Sequence, residues 1–185
     1  MSKKAIGVDI GGTGIKAAVV DLNDGTLIGE RIRLETPAGG KPIDIANVVA
    51  DLISKLPDAK DEMLVGICFP AIVRNGITMS AANVSKEWIG LDADSLFTKT
   101  LGRSVHVIND ADAAGVAEMK FGAGQDVEGL VIMTTLGTGI GSALFMNGKL
   151  LPNAELGHLE IDGVDYETKA SFAAKEREDL TWAEW

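Results

Sequence analysis

Asp9-Ile10-Gly11-Gly12-Thr13-Gly14-Ile15-Lys16 gathers a carboxylate, glycines, a hydroxyl and a lysine in one short stretch. An apolar run, Ala5 to Val8, precedes it and another, Ala17 to Val20, follows, so the cluster falls at a turn between two expected strands. Glycine lets backbone N–H groups come close to a ligand, and successive exposed N–H groups form an anion-binding nest. Taken alone, the stretch is equally compatible with a glycine-rich hairpin turn that binds nothing. Further along, Gly137-Thr138-Gly139-Ile140 repeats the tetrapeptide Gly12-Thr13-Gly14-Ile15, again between apolar runs, Leu130 to Met133 and Ala143 to Met146. Two copies of one strand–turn–strand device point to two walls of one phosphate site.

Other residues add acid–base and hydroxyl-binding chemistry. Asn109-Asp110 falls where an expected strand gives way to a helix. Asp110 serves there either as a helix N-cap or as an ionised acceptor for a substrate hydroxyl proton, since a helix N-terminus favours the carboxylate. Phosphoryl transfer needs only a weak base because its transition state is loose. Glu155-Leu156-Gly157-His158 sets an acceptor and an adjustable donor or acceptor beside a glycine. Sugars require such groups, because each hydroxyl both gives and takes a hydrogen bond; a solvated loop glutamate and a surface histidine are the alternative. His106 alternates within a strand and packs or faces solvent. Cys68, the single cysteine, lies in Leu64-Val65-Gly66-Ile67-Cys68-Phe69 and reads as a core thiol. It leaves no intrachain disulfide and no cysteine-based zinc cluster. Magnesium held by Asp9, water and donor phosphates suits these residues better than a protein-held zinc.

The elements that must position these groups follow from periodicity. Ala5–Ile10, Ile15–Asp21 and Thr26–Thr36 read as three consecutive strands, with Asn23-Asp24-Gly25 as a turn. In the third, Ile28, Ile32 and Leu34 share one parity and Arg31, Arg33 and Glu35 the other. Gly12-x-Gly14-x-x-Ala17 formally matches a dinucleotide fingerprint, but that fingerprint requires a helix after the glycines; a β-rich run follows, so the dinucleotide reading is rejected. Ile45, Val48, Val49, Leu52 and Leu56 keep helical spacing up to Pro57. Met63–Phe69 is a buried strand, a short hairpin surrounds Arg74-Asn75-Gly76, and Ser80 to Gly90 is a polar loop. Asp92 or Asp94 caps a helix ending near Leu101-Gly102. After the strand Val105–Ile108 comes a helix, Ala111 to Phe121, with Ala113, Ala114, Ala117 and Phe121 on one side. Leu130–Thr135 and Ile140–Leu151 form the second glycine-turned hairpin. A loop, Asn153 to Gly163, leads to a last helical segment from Glu167.

The 185 residues allow one large domain or two small ones, and 46% apolar content supplies a sound core. A net charge of −10 without a basic tract argues against nucleic acid or an anionic membrane as partner. No apolar run approaches the roughly 20 residues that span a bilayer, and the start does not read as a signal peptide. A reducing cytoplasm fits best. The helical ending on Trp182 and Trp185 reads as abrupt, as if the domain continued.

Four ordered motifs together carry a resemblance: Asp9 to Lys16, Asn109-Asp110-Ala111-Asp112, Leu136-Gly137-Thr138-Gly139-Ile140-Gly141 and Glu155-Leu156-Gly157-His158. Over nearly its whole length the chain resembles the ROK sugar kinases. Within them it is most similar to the polyphosphate glucokinase branch. Ser80-Ala81-Ala82-Asn83-Val84-Ser85 with Trp88, Asn147 to Asn153 and Glu155 to Glu160 support that branch. Many ROK proteins carry a cysteine-rich zinc motif after the Gly-His pair; Ile161 to Tyr166 replaces it here, as in the branch, which removes the structural zinc.

The resemblance implies an α/β fold of the actin-like, ribonuclease-H-like type, with a smaller N-terminal domain over 1–108, a larger domain beginning at 109–185 and incomplete at its end, and a cleft between them. It implies transfer of phosphate from polyphosphate or ATP to the glucose 6-hydroxyl. Asp110 would be the general base, with Asn83, Asn109, Glu155, His158 and Glu167 on the other hydroxyls, Glu167 being preferred to Glu160. Gly11, Gly12, Thr13, Gly14, Thr135, Gly137, Thr138 and Gly139 would wrap the phosphate. Asp9 would position magnesium through water. Lys16 would meet phosphate oxygens or pair across the sheet. A homodimer is expected. Rival readings are an ATP-only hexokinase of the family, a non-catalytic sugar-binding relative, and a sugar-responsive regulator, for whose helix-turn-helix a fold starting at Ala5 leaves no room.

Overall fold

The computed structural model describes residues 3–185. The chain forms two compact units, Met1–Asp110 and Ala111–Trp185.

The first unit runs β1 (Lys4–Ile10), β2 (Gly14–Asp21), β3 (Leu27–Glu35), α1 (Pro42–Ser54), β4 (Val65–Phe69), β5 (Val73–Arg74), β6 (Ile77–Thr78), α2 (Ala93–Leu101) and β7 (Val105–Asn109). One sheet takes the order β3-β2-β1-β4-β7; β3, β2 and β1 are antiparallel, while β4 and β7 run parallel to β1. Ile6, Val8 and Ile10 of β1, Ile15, Ala17 and Val19 of β2, and Val65, Ile67 and Phe69 of β4 alternate onto one face. They bury against Ile45, Val49 and Leu52 of α1, whose helical spacing makes one apolar stripe and whose Pro42 stands in the first turn, where its missing N–H costs nothing. Each Val, Ile, Leu or Phe among them, fully buried, contributes about 1.5–3 kcal/mol before entropy is counted. The alternation also puts Asp9, Lys16, Arg33 and Cys68, which pair directly across β1, β2, β3 and β4, on the opposite face. Asp92 is the cap of α2, accepting from the Ser95 N–H at 2.8 Å, and Gly102 ends that helix at φ 65°.

The stretch Ser80 to Gly90 is not simply a polar loop. It contains a 3-10 turn, Lys86–Trp88, and Trp88 is wholly buried between Phe69 (centroids 4.4 Å) and Phe97 (5.9 Å). Its indole N–H donates to the Gly40 carbonyl at 2.9 Å, which is why so large an amphipathic ring can enter the core.

Helix α3 (Asp110–Phe121), whose first residue closes the first unit, leads into the second, where β8 (Leu130–Leu136), β9 (Ile140–Met146), β10 (Lys149–Leu151), β11 (Glu160–Ile161), β12 (Val164–Asp165), α4 (Glu167–Ala170) and α5 (Phe172–Arg177) follow. The expected single strand Ile140–Leu151 is two, because Asn147 (φ 50°) and Gly148 (φ 74°) make a tight turn that folds β10 back onto β9. The buried side of α3 is Ala111, Asp112 and Gly115 rather than the expected alanines and Phe121. A Cβ at Gly115 would stand 2.6 Å from the Cβ of Ala143 and 2.8 Å from the Phe145 ring, so the helix lies hard against β9 at the residue with no side chain.

Candidate active site

In the first unit, β1 and β2 are joined by the glycine turn. The Gly11 N–H donates to the Gly14 carbonyl at 3.0 Å, the Thr36 hydroxyl to the Gly11 carbonyl at 2.6 Å, and Arg33 Nη2 to the Thr13 carbonyl at 2.9 Å. These three carbonyls, which would repel an anion, are thus occupied by protein donors. A side chain at Gly14 would collide with the Arg33 guanidinium, its Cβ falling 2.6 Å from Arg33 Cζ. Asn83 reaches the same turn: a Cβ at Gly12 would lie 3.3 Å from its own. Lys16 Nζ pairs with Asp9 Oδ2 at 2.9 Å, with the Asp9 side chain half exposed. An exposed pair of this kind contributes no more than about 1 kcal/mol, so either partner can be drawn off by a phosphate or a cation.

Along the same sheet face lies Cys68. Burial first, then the charges of Asp9 and Asp110, push its thiol up to about 11. The thiol is shielded and unreactive as expected, but it lies outside the apolar core: β4 buries Val65, Ile67 and Phe69 there and turns Cys68, half-buried, to the face of Asp9 and Lys16. Asp110 is the first residue of α3, directly after β7. Asn109 is 7% exposed and its amide donates to the Ala71 carbonyl at 3.1 Å, anchoring the strand end from which Asp110 emerges.

The second unit builds the other glycine turn and the Glu155–His158 loop together. Leu136 pairs with Ile140, and the Gly137 N–H closes on the Gly139 carbonyl at 2.9 Å. Glu167 Oε2 accepts the Ile140 N–H at 2.7 Å, and a Cβ on Gly139 would fall 2.6 Å from that oxygen. Glu167 therefore braces the turn that carries Thr138, whatever else it binds. Thr135 pairs with Gly141 across the same hairpin. The loop before His158 is bolted at two buried points. Asp112, 1% exposed, accepts the Asn153 N–H at 2.8 Å, and the Ser142 hydroxyl accepts the Leu156 N–H at 2.9 Å. Glu155 sits in the left-handed region at φ 45°, a conformation a non-glycine residue holds only where its surroundings impose it. His158 Nδ1 is 3.2 Å from Asp165 Oδ2, and its Nε2 is 3.8 Å from Glu155 Oε2. The hydrogen bond to Asp165 raises the histidine pKa against the opposing effect of desolvation, helped by the charges of Glu167, Asp165 and Glu155.

In the first unit the structure gathers Asp9, Gly11 to Gly14, Lys16 and Asn83 at one end of the sheet. In the second it gathers Gly137 to Gly139, Glu155, His158 and Glu167. His106 is exposed, 3.6 Å from Asp94 and apart from these groups. Sequence reasoning missed three members. Arg33 was visible only as one outward residue of a strand, Asp112 as part of a motif, and Asp165 not at all, since its partner is fixed by a hairpin register. Among the described residues no group of three or more His, Cys, Asp or Glu is placed to hold a metal ion. Asp9 is a single, half-exposed hard oxygen donor, which fits an ion carried by phosphates rather than caged by protein.

Residues 5–175 match the ROK family. The chain is 43% identical over 184 residues to a polyphosphate glucokinase of Mycobacterium tuberculosis (strain CDC 1551 / Oshkosh), covering 99% of this chain and 68% of that protein. It superposes on the crystal structure of the inorganic polyphosphate/ATP-glucomannokinase from Arthrobacter sp. strain KM with TM-score 0.90 at 54% identity, covering 98% of this chain and 73% of the other. A ROK family glucokinase from Streptomyces griseus, in complex with glucose and AMPPNP, matches with TM-score 0.80 at 31% identity, over 94% and 59%. The expected mixed α/β fold of the actin-like ATPase type is therefore the fold of this chain. With its glycine turns, its Asn109-Asp110 junction and its Glu155–His158 loop all lying inside the matched region, the chain belongs to the ROK family of sugar kinases.

Proposed function

We propose that this protein transfers the terminal phosphoryl group of inorganic polyphosphate or ATP to the 6-hydroxyl of glucose. The observation that carries the reading is the first glycine turn, in which the Gly11, Thr13 and Gly14 carbonyls are already hydrogen-bonded and which is flanked by Asp9, Lys16 and Arg33. Relatives and neighbours named polyphosphate glucokinase and polyphosphate/ATP-glucomannokinase support the donor and acceptor classes.

In this mechanism Asp110 accepts the proton of the sugar hydroxyl as the new O–P bond forms, and the bond from phosphorus to the donor's bridging oxygen breaks. Asn83, Asn109, Glu155, His158 and Glu167 hold the remaining hydroxyls and so fix which oxygen attacks. The two Gly-Thr-Gly turns, with Thr135 beside the second, offer backbone N–H groups to the transferred phosphate. Lys16 and Arg33 supply positive charge that the net charge of −10 otherwise withholds from a polyanionic donor. Magnesium, when bound, would neutralise donor phosphate charge, and Asp9 would hold it through water.

Among the described residues no helix is long and apolar enough to cross a membrane. The reading places the enzyme in the cytoplasm as a homodimer, which light scattering tests. The main experiment incubates the protein with glucose and magnesium and either polyphosphate or ATP, and measures glucose 6-phosphate. Product is expected with at least one donor. Glucose binding with no product from either would sink the kinase reading in favour of a non-catalytic sugar binder.

A further inference from the structure

His158 is one of two histidines in the chain, and what it offers a sugar depends on which ring nitrogen carries the proton. Asp165 is well placed to decide this. It ends β12, whose pairing with β11 (Ile161 with Val164, Glu160 with Asp165) is closed by Asp162 and Gly163 at φ 52° and 73°. The residue is held at three points. Its Oδ1 accepts the Glu167 N–H at 3.1 Å, its backbone carbonyl accepts the Thr168 hydroxyl at 2.6 Å, and its Oδ2 stands 3.2 Å from His158 Nδ1. An ionised carboxylate has acceptors only, so the hydrogen bond requires the proton on Nδ1. Nε2, 3.8 Å from Glu155 Oε2, is beyond hydrogen-bond distance and is not consumed.

We propose that Asp165 is a positioning residue for sugar recognition: it fixes the proton of neutral His158 on Nδ1 and so presents Nε2 to a sugar hydroxyl. The inference rests on the kinase reading for the identity of the sugar, but not for the state of the ring. The charges that act on the imidazole are those of Asp165, Glu167 and Glu155, and β9, the strand packed against the Leu156–His158 turn, carries no titratable residue. These carboxylates favour the second proton, so the histidine pKa is raised. Nε2 is then a donor at low pH and an acceptor above the histidine's titration, while Nδ1 donates to Asp165 throughout. Because the other oxygen of Asp165 starts α4 and places Glu167, whose carboxylate holds the Ile140 N–H, one side chain sets the geometry on both sides of the loop.

The test is Asp165→Asn. The amide oxygen can still accept from the Glu167 N–H, but the amide nitrogen would then donate to Nδ1 and drive the ring proton to Nε2. Nitrogen-15 NMR of the ring nitrogens, in a His106→Gln background that leaves one histidine, should report the Nδ1–H tautomer for Asp165. The Asn variant should report the Nε2–H tautomer with a lower titration midpoint. Calorimetry should show the glucose Kd rising about tenfold, the loss of one well-aimed hydrogen bond, and little further change when Asp165→Asn is added to His158→Gln. An unchanged tautomer and midpoint would overturn the assignment, as would a shifted tautomer with an unchanged glucose Kd. A tenfold effect persisting in the His158→Gln background would make Asp165 merely structural and overturn it too. Failure of the kinase reading would show separately, as absence of glucose 6-phosphate from the unsubstituted protein.

Discussion

The Cys68 thiol stays protonated near neutral pH because burial disfavours the thiolate and the carboxylates of Asp9 and Asp110 repel it. With its pKa pushed from 9.0 to about 11, the thiolate fraction at pH 8 falls by about a hundredfold. Alkylation by iodoacetamide at pH 8 should therefore be at least tenfold slower in the folded protein than in urea, and equal rates would show that the thiol is neither shielded nor held protonated. The same arrangement leaves Asp110 as the acceptor at the start of α3. Asp110→Asn keeps the shape and loses the base, so kcat should fall about a thousandfold while glucose affinity changes little. A parallel loss of both in kinetics and calorimetry would make Asp110 a binding residue instead. Arg33 illustrates the limit of single-residue reading: its outward parity was legible, but its contact with Thr13 depends on the β2–β3 register bringing it opposite Lys16.

At the scale of elements, the repeated Gly-Thr-Gly-Ile became two hairpin tips of different construction. In the first the Gly11 N–H closes on the carbonyl of Gly14, three residues on; in the second Gly137 closes on Gly139, two residues on, with a glutamate from α4 behind the turn. A methyl group at Gly139 would meet the Glu167 carboxylate. Gly139→Ala should displace Glu167 from the Ile140 N–H, cost about 1–3 kcal/mol in stability as overpacking does, and raise the KM for the phosphate donor severalfold. Urea unfolding and initial-rate kinetics check both parts; wild-type values would show that the turn tolerates the methyl and that Glu167 does not brace it. The hairpin strands were legible from apolar runs and the α2 cap as Asp92 or Asp94, between which the Ser95 N–H bond to Asp92 decided. The buried face of α3 was not legible. Its sequence is rich in small residues, which give no periodic contrast, and close approach at Gly115 set the face instead.

Across the molecule, burial is uneven. The continuous apolar core consists of residues from Ile6 to Val107, all in the first unit, whereas the second buries few large side chains, Phe145 chief among them. Opening free energy follows buried apolar contact, so protection should be ranked accordingly. Hydrogen exchange read by mass spectrometry should find the slowest amides in β1, β2, β4 and α1 and faster exchange throughout residues 111–185; equal protection in the two units would contradict this. The charge of −10 is spread without a basic tract, so attraction of a polyanion rests on local groups rather than on the field of the whole chain.

What the sequence determined by itself were the quantities encoded locally: strand parity, the glycine turns, the Asn109-Asp110 junction, and the order of motifs that the family match bears out. Such features depend on neighbours a few residues apart and survive without knowledge of the fold. The tertiary structure alone decided that Trp88 enters the core, that Cys68 faces Asp9, that Glu167 braces the second turn, and that Asp165 meets His158. Each depends on the register of strands or on a helix placed by packing. A shift of one residue in register sends a side chain to the other face of a sheet, and no local pattern specifies which partner it then meets.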